Sequence, residues 1–198
     1  MKIIGITGSF KTGKTTALNI IKNLGAEIID ADKIAHELLK TKDVIKKIET
    51  HFKGSPDIVE NNVINRDKLA QVVFGNRDEL RWLNDLIHPL VARNIKNSLQ
   101  DIKKRNPDAL VAIEIPLLYE ADMVYLVDKV IVVSADRNVQ IARALQDGYL
   151  REDTLKRIES QLELSKKEEC GDFVIDNNSS LGNVRSQVKE ILKKINEE

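Results

Sequence analysis

One stretch near the N-terminus, from Gly8 to Thr15, has the residue types and the spacing of a phosphate-binding loop, G-x-x-x-x-G-K-[ST]. Glycines allow such a loop to turn backbone N–H groups toward an anion, and the helix that follows adds unpaired amides and the positive end of its dipole. We expect Lys14 to reach the β- and γ-phosphates of a nucleotide and the Thr15 hydroxyl to coordinate Mg²⁺. The sequence therefore predicts a site for a nucleoside triphosphate and its metal ion.

Phe10 and Lys11 distinguish this loop from its glycine-rich versions. Lys11 has two possible roles that the sequence leaves open, since it either adds positive charge near the γ-phosphate or lies in solvent. An apolar run rich in β-branched residues ends at Gly8, and apolar residues recur at helical spacing over 17–24. The loop is therefore predicted to connect a strand to a helix, which is the context that a phosphate site needs.

Two acids, Asp30 and Asp32, follow a second predicted strand at 26–29. In open α/β sheets the ligand crevice lies beyond the carboxyl ends of the strands, so we expect both acids beside the phosphate loop. If the strand geometry continues through them, both point to the same face. A carboxylate there can hold Mg²⁺ through water or accept a proton from an attacking hydroxyl, whereas the alternative role is to cap the next helix. We expect Asp32 to be catalytic.

Strands alternate with helices along much of the chain, which is typical of a parallel, doubly wound α/β sheet. Three further strands are predicted at 110–115, 129–133 and 173–175, which brings the sheet to five strands. The continuous apolar run at 110–115 suits a central strand covered on both faces, and its end should also point into the crevice.

Residues 41–109 show helical patterns and no convincing strand, which predicts a helical insertion on the acceptor side of the crevice. One helix in it is closed by Gly54-Ser55-Pro56, and Asn65 is placed as an N-cap of the next. A longer helical pattern is interrupted at His88-Pro89, because proline removes one backbone hydrogen bond and usually kinks a helix.

A second helical stretch, residues 151–169, is strongly charged. Most of this charge is expected to form a solvated face. Arg143, Arg151 or Arg157 could nevertheless reach phosphates from a mobile lid.

The overall composition excludes several classes of protein. The 31 basic residues balance the 31 acidic ones, so no general field for nucleic acid or a membrane surface is expected. Apolar runs stay well short of the roughly 20 residues of a membrane span, and the N-terminal run leads straight into the loop, unlike a signal peptide. The one cysteine, Cys170, cannot form an internal disulfide, which fits the reducing cytoplasm.

Six motifs follow one another over roughly residues 1–180. They are Gly8 to Thr16, Asp30-Ala31-Asp32, Arg66-x-x-Leu69-x-x-x-Val73-Phe74, Ile87-His88-Pro89-Leu90, Ile115-Pro116-Leu117-Leu118-Tyr119-Glu120 and Phe173-Val174-Ile175-Asp176-Asn177. Together they resemble the motifs of the dephospho-CoA kinase family. Many families share the phosphate loop, whereas the Asp-Ala-Asp, His-Pro and Pro-Leu-Leu elements are far more specific.

The resemblance implies the P-loop nucleoside-monophosphate-kinase fold and a division of the chain into three parts. These are a core at 1–40, 110–135 and 170–198, a helical acceptor-binding subdomain at 41–109, and a lid at 136–169. The implied reaction moves the γ-phosphoryl of ATP to the ribose 3′-hydroxyl of dephospho-CoA, the last step of coenzyme A synthesis, with ATP and Mg²⁺ required.

The resemblance also implies a role for individual residues. ATP would be bound by Gly8, Lys11, Thr12, Gly13, Lys14, Thr15, Thr16 and Asn177, with Thr15 on the metal and Asn177 near the adenine. Dephospho-CoA would be bound by Thr7, Asp32, His88, Pro116, Leu117 and Leu118. Lys14, Asp32 as general base and Arg143 would be the catalytic residues.

The lid departs from the family at one position. Family members commonly place an arginine just before an acidic residue there, but in this chain Gln146 precedes Asp147. Whether Arg143 or Arg151 supplies the lid charge stays open. Two other functions also stay open, a different P-loop small-molecule or nucleoside-monophosphate kinase and a nucleotide-binding regulatory module with weak activity. We expect no nucleic-acid or membrane partner, and a monomer or weak homo-oligomer.

Overall fold

The computed structural model describes residues 1–54 and 57–197 of the chain. The chain forms two compact units. The first, called the core unit, comprises Met1–Asp30 and the chain from Ser98 onward, and the second, called the helical unit, comprises residues 31–97. The helix end expected at Gly54-Ser55-Pro56 falls partly outside the described residues. Every helix within those residues is too short or too polar to cross a membrane.

The strands and helices of the described residues follow one another in this order: β1 (Lys2–Gly8), α1 (Lys14–Asn23), β2 (Glu27–Asp30), α2 (Ala31–Leu38), α3 (Lys42–His51), β3 (Val59–Glu60), β4 (Val63–Ile64), α4 (Arg66–Gly75), α5 (Arg77–Arg105), β5 (Leu110–Glu114), β6 (Lys129–Ser134), α6 (Arg137–Gln146), α7 (Arg151–Glu159), α8 (Leu164–Cys170), β7 (Phe173–Asp176) and α9 (Leu181–Glu197). A single 3₁₀ turn at Val124–Leu126 precedes β6.

The core unit is built on a sheet whose strands all run parallel. Among the described residues five strands pair in the order β2-β5-β1-β6-β7, so the predicted α/β fold with a five-stranded parallel sheet is confirmed. Strand β1 is central, and the strands that follow it in sequence pair on both sides of it. In sheets of this kind ligands bind beyond the carboxyl end of such a strand, where the loop after β1 begins.

The central strands are apolar because the sheet is covered on both faces. Ile4 and Ile6 of β1, together with Ile131 of β6, are fully buried in one cluster with residues of α1 and α9. Val132 alternates to the opposite face, where the chain at Gly171, just after α8, approaches it closely. A strand buried on both faces has little freedom to move, so it gives the loop at its end a rigid base.

The helical unit contains one feature that the sequence did not predict. Residues 59–64 form an antiparallel hairpin of β3 and β4, although no strand was expected between 41 and 109. Asn61 and Asn62 at its tip have positive φ values of 52° and 60°, a conformation that asparagine tolerates in tight hairpin turns. Strands of two residues are too short to show an alternating pattern, so the prediction of no strand was wrong.

Two helices of the helical unit bear on the other expectations. Asn65 caps α4 as predicted, since its side chain accepts a hydrogen bond of 3.2 Å from the N–H of Lys68. The predicted longer helix is confirmed as α5, which is continuous through Pro89 and is not broken at His88-Pro89. Proline costs one hydrogen bond, to the carbonyl of Asp85, while the surrounding turns keep theirs and preserve the helix.

Candidate active site

The phosphate loop lies between β1 and α1, and two of its glycines are required by the backbone. Gly8 and Gly13 have φ values of 149° and 96°, which side-chain-bearing residues rarely adopt. A Cβ at Gly8 would overlap the carbonyl oxygen of Val133, and a Cβ at Gly13 would overlap the side-chain amide of Asn177. Lys11 is also left-handed, with φ 60°. The loop therefore has a tightly fixed shape.

Helix α1 presents a favourable end to an anion. Its N-cap is Gly13, which has no side chain to occupy the first amides, and its first turn contains no acidic residue. Lys14 begins the helix, is 9% exposed, and donates a hydrogen bond of 2.9 Å from Nζ to the carbonyl of Ser9. Thr12 is buried and donates to the same carbonyl at 3.0 Å. The ammonium group of Lys14 thus lies against the loop, at the place where the loop amides would bind a phosphate.

The acid in contact with Thr15, at the end of the loop, is Glu114, which sequence reasoning missed. It is the last residue of β5, it is 9% exposed, and its Oε1 accepts a hydrogen bond of 3.4 Å from the Thr15 hydroxyl. A single acid at the end of an otherwise apolar strand is the signal that would have identified it. The hydroxyl and the carboxylate form an oxygen donor set of the kind that Mg²⁺ uses together with substrate phosphates.

The loop opens on a cleft of about 530 Å³ in the core unit. Its lining includes Lys11, Gly13, Lys14, Thr15, Thr16, Arg143 and Asn177 among the residues predicted from the sequence, and Phe10, Gln146, Asp147, Ser179 and Leu181 besides. Most of the residues predicted to bind ATP are therefore brought together around one cavity, with the lysines and the arginine giving it a positive character.

Arg143 and Asn177 hold the backbone of the loop. The guanidinium of Arg143 donates to the carbonyls of Lys11 and Thr12 at 3.4 and 3.2 Å and to the carbonyl of Asn177 at 2.7 Å. The amide of Asn177, which is 7% exposed, donates to the carbonyl of Thr12 at 2.7 Å. Both side chains line the cleft, and in this structure these donor groups bind main-chain oxygens.

A cluster of aromatic and charged side chains lies next to the loop. The rings of Phe10 and Tyr149 meet edge to face at 5.3 Å, and the guanidinium carbon of Arg157 is 5.5 and 5.4 Å from their centroids. Lys11 contacts the same two rings and forms an ion pair of 2.5 Å with Asp147. The Lys11 side chain is therefore not free in solvent, because the Asp147 carboxylate and two aromatic rings hold it beside the cleft.

The residues expected to bind the acceptor are distributed over both units. In the core unit the Thr7 hydroxyl donates to the carbonyl of Pro116 at 3.1 Å, and Thr7 and Leu118 are fully buried. Pro116 and Leu117 are half-buried in the turn after β5, and His88 is half-buried in α5 of the helical unit.

Asp32 does not continue the strand that contains Asp30. Strand β2 ends at Asp30 and helix α2 begins at Ala31, so Asp32 lies in the first turn of a helix. The strand geometry therefore does not continue through both acids, which was the condition for their sharing one face. A carboxylate in a first helical turn interacts favourably with the helix dipole, which explains locally why the helix begins so early.

These features define a class of protein. A phosphate loop that joins the central strand of a parallel sheet to a helix, with Lys14 and Thr15 at its end and an acid on the neighbouring strand, is the site of a P-loop phosphotransferase. The family model for dephospho-CoA kinase matches residues 2–183, and the chain belongs to that family of ATP-dependent kinases.

Known proteins agree with this assignment. A dephospho-CoA kinase of Helicobacter pylori is 39% identical over 193 residues, covering 96% of this chain and 95% of the relative. One of Carboxydothermus hydrogenoformans is 38% identical over 196 residues, covering 98% and 94%. The solved structure of dephospho-CoA kinase from Campylobacter jejuni superimposes with a TM-score of 0.73 at 28% identity, covering 98% of each chain.

Proposed function

We propose that this protein transfers the γ-phosphoryl of ATP to the ribose 3′-hydroxyl of dephospho-CoA and releases CoA and ADP. The observation that carries this proposal is the family match over residues 2–183 together with a complete phosphate loop at its start. The lone cysteine, which cannot form an internal disulfide, fits a reaction in the reducing cytoplasm.

The triphosphate would be bound by the loop amides and by Lys14. The ammonium group of Lys14 donates to the Ser9 carbonyl, and an incoming phosphate oxygen offers a charged acceptor in its place. Arg143 and Asn177 would contribute by holding the loop backbone. Their hydrogen bonds to the carbonyls of residues 11, 12 and 177 keep the loop in the shape that binds phosphate. Phosphoryl transfer depends mainly on such positioning and charge neutralisation.

Magnesium fits the donor set next to the loop. Thr15 would bind it directly and Glu114 through water or directly, because hydroxyl and carboxylate oxygens are ligands that Mg²⁺ prefers. When bound, the metal neutralises charge on the β- and γ-phosphates. Removing Mg²⁺ should therefore lower kcat more than it weakens the binding of dephospho-CoA.

The acceptor would be activated by Asp32. The carboxylate is proposed to accept the proton of the 3′-hydroxyl, and His88, Pro116, Leu117 and Leu118 are each proposed to contact dephospho-CoA. Support for these roles comes from the match of their motifs to the family, which covers all of these positions.

The test is an assay of CoA and ADP formation with ATP, Mg²⁺ and dephospho-CoA, run beside a panel of other hydroxyl acceptors and nucleoside monophosphates. Dephospho-CoA should be preferred by orders of magnitude, and Lys14→Ala should lose about 10³-fold in kcat. Lys22→Ala, an exposed lysine in the last turn of the same helix, should behave as wild type. Equal rates with unrelated acceptors would contradict the proposal.

The role of Asp32 has a matched control within the chain. Asp43 also lies in a first helical turn, that of α3. Asp32→Asn should lower kcat by about 10²-fold and leave ATP binding intact, whereas Asp43→Asn should lower only stability, by about 0.5 kcal/mol. Equal kinetics for the two variants would mean that Asp32 only stabilises helix α2 through the helix dipole and has no catalytic role.

A further inference from the structure

One lysine of the core unit is buried where a charged residue is costly. The side chain of Lys167, in α8, is 0% exposed, although it lies in a stretch whose charges mostly face solvent. Its neighbour Lys166 shows the ordinary arrangement, with a side chain 62% exposed. Burying an ammonium group is unfavourable unless it is paired and hydrogen-bonded, so the partners of Lys167 indicate what it does.

Within the described residues, the partners of the Lys167 side chain both belong to the turn that follows β5. Its Nζ is 2.8 Å from Oε1 of Glu120 and donates to the carbonyl of Pro116 at 2.9 Å. The same oxygen of Glu120 accepts a hydrogen bond of 2.9 Å from the backbone N–H of Leu162, just before α8. The lysine and the glutamate therefore connect α8 to both ends of a short segment, residues 116–120.

The carbonyl of Pro116 is the point where this segment meets β1. It accepts from Lys167 on one side and from the Thr7 hydroxyl, at 3.1 Å, on the other. Before it, the N–H of Ile115 still bonds to Ile6 of β1, and after it Leu118 bonds back to Ile115. The turn thus leaves the sheet at Pro116, and two side-chain donors fix the direction of that carbonyl.

We propose that Lys167 is a positioning residue that, with Glu120, holds the turn of residues 116–118 in the shape that receives dephospho-CoA. This inference rests on the proposed function. Only the lysine of this pair is buried, since the Glu120 side chain is 22% exposed. A lysine serving stability alone would be a poor choice here, because an apolar residue of similar size avoids the cost of burying an ammonium group. An apolar residue cannot donate to the Pro116 carbonyl, which is what the turn requires.

Three variants test the inference in one kinetic assay with purified full-length protein. Lys167→Met removes the donor, and Lys167→Met with Glu120→Gln also removes the charge left behind while keeping an acceptor for Leu162. Lys166→Met removes a neighbouring exposed lysine of the same helix and is the matched control. Thermal unfolding of each variant shows which are folded at the assay temperature.

We expect the KM for dephospho-CoA to rise about tenfold in both Lys167 variants, the loss typical of one hydrogen bond to a charged group, with the KM for ATP within about twofold of wild type. Lys166→Met should match wild type in both constants. A folded double variant with an unchanged KM for dephospho-CoA would overturn the inference, as would equal rises in both KM values. Loss of the fold in both Lys167 variants would also overturn it, because the ammonium would then serve the fold rather than the turn.

The assay separates this inference from the proposed function. If wild type and Lys166→Met form no CoA from dephospho-CoA, the proposed function fails and the inference fails with it. If they form CoA and the Lys167 variants do so with the same KM, only the inference fails.

Discussion

The hydroxyl of Thr15 lies 3.4 Å from Oε1 of Glu114, so the phosphate loop and the end of the adjacent strand β5 are joined by a hydroxyl–carboxylate contact. Parallel pairing of β1 with β5 places Glu114 opposite Ile6, two residues before the loop begins. A buried carboxylate in that position is well placed to share a hydrated cation with the threonine, because hard divalent cations take oxygen ligands.

We predict that Glu114→Gln weakens the use of Mg²⁺. The amide keeps the shape and one acceptor but removes the charge, so the Mg²⁺ concentration giving half-maximal rate should rise about tenfold. Titration of the rate with MgCl₂ at fixed ATP measures this value. Glu27→Gln removes an acid at the start of strand β2, at the edge of the sheet away from the loop, and should leave the Mg²⁺ dependence unchanged. An unaltered Mg²⁺ dependence in Glu114→Gln would assign the glutamate to folding alone.

The lid charge is predicted to come from Arg157. Both Arg151 and Arg157 are exposed, but the guanidinium of Arg157 lies over Phe10 of the loop and over Tyr149, whereas Arg151 begins α7. Arg143 already supports the loop backbone. Arg157→Ala should therefore lower kcat/KM for ATP about tenfold, the usual value of one charge-assisted contact, and Arg151→Ala by less than about twofold.

Steady-state kinetics with varied ATP measure both effects. Lys156→Ala, which removes an exposed neighbour paired with Glu152, is the control for changes in α7 itself. A larger loss in Arg151→Ala than in Arg157→Ala would reverse the assignment.

Local pattern was sufficient to predict the phosphate loop, because its glycines, Lys14 and Thr15 lie within one short stretch. The five strands were predicted for the same reason, since buried parallel strands are continuous apolar runs. The role of Glu114 depends on strand pairing, which brings residues about a hundred positions apart together and leaves only a lone acid as a signal. Non-local contacts of this kind are not encoded in any local spacing.

Two other features were left unresolved by the sequence, for different reasons. The sequence left open whether strand geometry continues through Asp32; helix α2 in fact begins at Ala31, and the ends of helices and strands are decided by competing local interactions that a sequence resolves poorly. Lys167 lies in the stretch 151–169, most of whose charge was expected to form a solvated face, and its burial follows from the packing of α8 against β6 and β1. A buried lysine in such a charged stretch cannot be distinguished by sequence from its exposed neighbours.

The next prediction concerns Tyr119, whose hydroxyl is buried and has no hydrogen-bond partner among the described residues. Burial raises the pKa of Tyr119 to about 12, and the charges of Cys170 and Asp172 add to the effect. The unfolded chain loses this proton near pH 10 while the folded protein retains it. The free energy of unfolding should therefore be unaffected by this group below pH 10 and fall as the pH rises from 10 to 12.

Tyr119→Phe tests both consequences. Removing an unsatisfied buried hydroxyl should raise the free energy of unfolding by about 1 kcal/mol at pH 7 and flatten its decline between pH 10 and 12. Denaturant unfolding at several pH values measures the difference from wild type. Tyr125→Phe, at a tyrosine that is 63% exposed, is the control and should keep the wild-type slope. A steeper decline in Tyr119→Phe would contradict this account.

The last prediction separates backbone strain from steric fit at the loop, using two glycines with nearly the same φ. Gly13 and Gly25 have φ values of 96° and 101°, but a Cβ at Gly25 would meet open space, whereas one at Gly13 would overlap the amide of Asn177. That amide donates to the carbonyl of Thr12, so displacing it releases the loop. Gly25→Ala should cost about 1 kcal/mol of stability and keep normal ATP binding.

Gly13→Ala should show the same strain and, in addition, lose ATP binding by about 10²-fold, because the cradle can no longer close around the phosphates. Calorimetric titration with ATP and thermal unfolding, performed on both variants, separate the two effects. Equal ATP affinity in Gly13→Ala and Gly25→Ala would mean that Asn177 moves aside without disturbing the loop, and that its bond to Thr12 does not shape the nucleotide site.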